Sequence, residues 1–110
     1  MREGFYSIFY TGQAGSGILM LCLKGGRIVG ADAAGGSILG TYEESGDSLN
    51  ANCTFNFRAG DLVTGQSLAQ PITHKAEFRL PTRLFDGETV KTDIGTGPIN
   101  ARAEFLSDPL

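Results

Sequence analysis

Four groups of residues in this chain could carry chemistry. The first is His74, the only histidine. The second is the pair Cys22 and Cys53. The third is an acidic cluster, Glu43, Glu44 and Asp47. The fourth is the glycine-rich stretch Gly12-Gln13-Ala14-Gly15-Ser16-Gly17. A zinc site needs three or four His, Cys or carboxylate ligands, and one histidine with two cysteines on separate segments does not supply them. The glycine-rich stretch joins two β-patterned segments and opens no helix. It is a hairpin turn, not a phosphate cradle. No serine sits in a G-x-S-x-G context, and no nucleophile–base–orienter set stands out. These residues imply no cofactor, no metal and no catalysis. His74 falls among inward-facing residues, either as a core histidine or as the polar anchor of a ligand cavity.

The elements that must position these residues are strands. Ser48 to Arg58 alternates strictly, with Leu49, Ala51, Cys53, Phe55 and Phe57 on one face and polar residues on the other. Successive strand side chains point to opposite faces, so this is a half-buried antiparallel strand. Ile72–Leu80 and Ile99–Leu106 repeat the pattern. Glycine-rich breaks at Lys24-Gly25-Gly26, Ala33–Gly36, Ser45-Gly46-Asp47, Asp86-Gly87 and Gly95–Pro98 punctuate the chain. The spacing predicts eight strands: Gly4–Thr11, Gly17–Lys24, Arg27–Ala31, Ser37–Glu44, Ser48–Arg58, Ile72–Leu80, Thr89–Ile94 and Ile99–Leu106. Short helical turns fit at Asp61–Ser67 and Pro81–Phe85. The expected class is all-β, an eight-stranded antiparallel up-and-down barrel in one domain spanning residues 1–110. A two-sheet sandwich is the rival.

The two halves of the chain differ. The later strands carry a wet face, whereas Ile18 to Leu23 is apolar on both faces. An apolar outer wall needs a cover, and a second copy of the chain is the simplest. Tyr6, Ile18, Leu19, Met20, Leu21 and Leu23 are the expected homodimer contacts. Inside, Gly40, Ala51, Ala76, Ala101 and Ala103 are small where larger residues would fit. Eight strands enclose room for side chains or for one small ligand. Small liners point to a cavity for a small apolar ligand, lined also by Tyr42 and Phe78, with His74 as anchor. The alternative is that the aromatic residues fill the space.

Composition narrows the partners. The net charge is −3 and the 9 basic residues are scattered, against direct nucleic-acid binding. No apolar run approaches the ~20 residues of a membrane helix. Met1 leads straight into a β-patterned segment without a leader. The expectation is a cytoplasmic protein with reduced thiols, off the membrane. The acidic cluster is either a solvated turn or a contact for a basic protein partner.

Gly4-Phe5-Tyr6-Ser7-Ile8, Gly17-Ile18-Leu19, Gly30-Ala31-Asp32, and Gly40 ahead of Glu43-Glu44-Ser45-Gly46-Asp47 resemble the GrlR-type negative regulators of type III secretion. The resemblance implies a lipocalin-like (calycin-like) barrel that dimerises and binds a transcription activator, without catalysis. It assigns that contact to Glu43, Glu44 and Asp47, although here Ser45-Gly46 interrupts the acidic run.

Overall fold

The structure is a computed structural model. It describes residues 1–13, 15–33, 35–61, 67–93 and 97–110, with Asp61 and Ser67 described by backbone alone. The strands are β1 (Gly4–Gly12), β2 (Gly15–Lys24), β3 (Arg27–Asp32), β4 (Ser37–Ser45), β5 (Ser48–Phe57), β6 (Gly60–Asp61), β7 (Ser67–Leu68), β8 (Ile72–Pro81), β9 (Val90–Asp93) and β10 (Pro98–Ser107). One short 3-10 helix, Thr82–Asp86, joins β8 to β9. Eight antiparallel strands form one sheet in the order β8-β5-β4-β3-β2-β1-β10-β9, and β6 and β7 form a separate ribbon. Most of the proposed turn at Asp61–Ser67 lies outside the described residues.

The chain is an all-β barrel. Pairing of β1 with β10 carries the sheet round, so first and last strands are neighbours. The seam lies between β8 and β9, which form no ladder with each other among the described residues. The helical turn packs into the barrel beside this seam. Its Leu84 and Phe85 are buried, and Phe85 meets the Tyr6 ring edge-on at 5.2 Å. Gly87 ends the turn at φ 89, a left-handed conformation that glycine adopts without a Cβ clash, and its N–H returns to the Leu84 carbonyl.

Hairpin chemistry sets the register. Gly25 and Gly26 form the two-residue link between β2 and β3 with φ 57 and 79, the double positive φ of a type I′ turn. That turn fixes Leu23 opposite Ile28, and both point into the core. The other turn-end contacts lie at the same end of the barrel. The Met1 ammonium lies 3.2 Å from Glu44. The Arg2 guanidinium sits 3.9 Å above the Phe105 ring and pairs with Asp108 at 3.0 Å. The Tyr6 hydroxyl donates to the Arg2 carbonyl. These contacts, with the helical turn, close one end.

Candidate functional site

Toward the opposite end, the inward side chains of the described residues leave a space between them. An interior cavity of about 130 Å³ runs from Leu23, Leu84 and Phe85 at the closed end to Tyr10, Asp32 and Thr92 at the mouth. Its walls are almost wholly aliphatic and aromatic, from Ile8, Leu19, Leu21, Ile28, Ile38, Phe55 and Ile99 among others. Asp32 is the one ionic side chain among the described lining residues. It ends β3, where its Oδ1 accepts a hydrogen bond from the Gly36 N–H at 2.8 Å. Tyr10 lies flat across Gly17, leaving no room there for a Cβ. Burial, and then the neighbouring Asp32 carboxylate, raise the pKa of the Tyr10 phenol above its usual value.

Only two of the eight cavity residues expected from sequence line this space, Phe78 and Ala101. Gly40, Tyr42, Ala51, His74, Ala76 and Ala103 do not. Large neighbours consume the room that small residues leave. Ala51 sits in register between Tyr42 and Phe78, and Ala103 stands opposite Ile8. Gly40 serves close approach of β4 to β5. A Cβ there would fall 2.3 Å from the Asn52 carbonyl oxygen and 2.8 Å from Cys53 Sγ. Small and large side chains thus alternate across neighbouring strands, as interdigitated cores require. Tyr42 and Ala51 instead border a broad open depression of about 740 Å³ with polar Asn50, Glu77 and Arg79. His74 faces Phe55 across the β5–β8 ladder, with ring centroids 6.4 Å apart. Its Nε2 is buried and has no hydrogen-bond partner among the described residues.

The outer wall is a second feature. Phe9, Met20, Val29 and Leu39 are exposed by 42, 45, 50 and 54%. They occupy β1, β2, β3 and β4, and the register places Phe9 beside Ile18, Val29 beside Cys22 and Val29 beside Leu39. A continuous apolar strip therefore crosses four strands. Farther round, the outer face of β4, β5 and β8 is polar and hydrogen-bonded across strands. Asn56 Nδ2 donates to Ser37 Oγ (3.2 Å), Thr73 Oγ1 to Asn56 Oδ1 (2.9 Å), and Arg79 Nε to Asn50 Oδ1 (3.1 Å).

The six expected dimer contacts divide by parity. Ile18 and Met20 belong to the outer strip. Tyr6, Leu21 and Leu23 are core residues, exposed by 1, 9 and 1%, and Leu19 lines the cavity. Consecutive strand residues cannot share a face, so those four are unavailable to a second copy. Sequence reading missed Phe9, Val29 and Leu39, whose signal was apolar residues at outward parity on β1, β3 and β4. The acidic cluster is divided as well. Glu43 and Glu44 point to opposite faces, Glu44 is paired to Met1, and the Asp47 carbonyl accepts from Thr82.

Among the described residues no group of three or more His, Cys, Asp or Glu side chains could hold a metal ion. No described helix is long and apolar enough to cross a membrane. No protein-family model, curated protein or solved structure matches the chain.

Proposed function

We propose that this chain is a non-enzymatic cytoplasmic regulator that acts by binding proteins. The observation that carries this reading is the apolar strip across β1–β4 on a wall that a lone antiparallel barrel would keep polar. A second copy of the chain covers it, through Phe9, Ile18, Met20, Val29 and Leu39. The resemblance to GrlR-type regulators supports a transcription activator as the regulated partner and negative control of secretion as the role. Glu43 and Asp47, both exposed, are the acidic contacts that a basic activator would meet. His74 Nε2, with no hydrogen-bond partner among the described residues and outside the described cavity lining, supports binding over acid–base catalysis.

The test is capture of a purified basic activator by the wild-type chain and by a Glu43→Lys, Asp47→Lys double variant. The reading expects the variant to lose capture and keep the self-association of the wild type. Equal capture by both would remove the acidic contact.

A second reading is favoured by the cavity. An apolar interior chamber suits a small-ligand carrier or a ligand-gated regulator. Native mass spectrometry of gently purified protein tests it: a bound apolar compound at one ratio supports a carrier.

A further inference from the structure

The cavity is specific about what it would hold. Its volume of about 130 Å³ is close to that of an apolar cavity that accepts benzene, roughly 150 Å³. The space suits a body of about six carbons, a phenyl ring or a short alkyl chain, and not a long acyl tail. Among the described lining residues Asp32, at the mouth, is the only ionic one. One of its oxygens accepts from Gly36, and a carboxylate offers about four acceptor sites, so acceptor capacity remains. Among the described residues Asp32 makes no ion pair. The Arg58 guanidinium packs on the same loop but donates its Nε–H to the Gly35 carbonyl (3.3 Å). The Tyr10 phenol, close enough to Asp32 to feel its charge, shares the described lining with the neutral polar side chains of Ser37, Asn56 and Thr92.

We propose that the barrel binds a small amphiphile whose apolar body enters the cavity and whose head donates hydrogen bonds to Asp32. A primary ammonium is the best head, because its charge-assisted bonds to a carboxylate are the strongest available. A hydroxyl head serves less well. A carboxylate head is rejected by like charge at the mouth. The proposal rests on the ligand-binding reading of the cavity and adds to it the size and head chemistry of the ligand.

Four probes of similar size separate these claims: ethylbenzene, 2-phenylethanol, 2-phenylethylamine and phenylacetate. Each is titrated into the full chain and followed by calorimetry and by NMR shifts of the Leu and Ile methyl groups. The amine is expected to bind about tenfold tighter than the hydrocarbon, with the alcohol between them and phenylacetate weakest. Asp32→Asn keeps an acceptor for the Gly36 N–H. It is expected to bring the amine down to the level of ethylbenzene and to leave ethylbenzene within about twofold. Ethylbenzene binding as tightly as the amine, or phenylacetate binding tightest, would overturn the head-group claim and leave the cavity reading standing. Binding by none of the four would overturn both.

Discussion

Ile18 and Leu19 are neighbours in β2 and face opposite sides of the barrel wall. Leu19 lines the internal cavity, whereas Ile18 pairs with Phe9 in the outer strip. One apolar run thus supplies both the core and a surface for association, and single substitutions can address each separately.

Leu23→Ala and Met20→Glu should behave as opposites. Leu23 is 1% exposed, and its truncation should cost about 2–5 kcal/mol in urea unfolding. Self-association should persist wherever the protein remains folded. Met20 is 45% exposed, so Met20→Glu should leave monomer stability within about 0.5 kcal/mol and weaken association. Sedimentation and urea melts of the two variants check both halves.

Gly40→Ala should destabilise the barrel by about 1–3 kcal/mol despite adding one methyl group. The new Cβ would press on the Asn52 carbonyl and on Cys53. Gly46→Ala should also cost stability, by a different route. Gly46 has open space for a Cβ but sits at φ 62 in the β4–β5 turn. Pairing Gly40→Ala with Cys53→Ala should return part of the Gly40→Ala loss and none of the Gly46→Ala loss, as read from melts of the double variants.

Alkaline pH should unfold the protein through its buried thiol. Burial pushes the Cys53 thiol from 9.0 up to about 11. A group whose pKa is raised on folding contributes stability that is complete below its unfolded value and is lost as pH rises through its folded value. Stability should therefore hold up to about pH 9 and fall by on the order of 2 kcal/mol by about pH 11. Burial raises Tyr6 and Tyr10 as well, which adds to the same slope from pH 10 upward. Urea midpoints across this range for wild type and Cys53→Ala check it, and the variant should lose the earlier part of the fall.

The acidic residues should divide in the same way as β2. Glu44→Gln removes the partner of the Met1 ammonium, and because the Glu44 side chain is 40% exposed the loss should be about 1 kcal/mol or less. Its effect on activator capture should be small. Glu43→Lys should act on capture and not on melting temperature.

Strand positions were legible in the residues because alternation and glycine turns are local signals. The eight main strands fall within two residues of their expected bounds, and the helical turn after Pro81 lies where expected. Faces were legible only where one side is polar. In Ser48–Phe57 the asparagines and threonine mark the outside, so Ala51, Cys53 and Phe55 are placed correctly. In Ile18–Leu23 both faces are apolar, and only the pairing with β1 and β3 separates Met20 from Leu21. The cavity was the least legible feature. A small side chain reads as empty space, but its occupancy depends on cross-strand neighbours. Tyr42 and Phe78 flank Ala51 from two other strands, at sequence distances no local pattern reaches. Asp32 carried no signal of its own, because an Asp before a glycine-rich break reads as a turn residue.

Sedimentation velocity from sub-micromolar to tens of micromolar, on wild type and on a Met20→Glu, Leu39→Glu double variant, bears most directly on the role of the outer strip. The account predicts a wild-type dimer and a folded monomeric variant with the same far-ultraviolet circular dichroism. A wild type that stays monomeric throughout that range, with the strip bare to water, would contradict it.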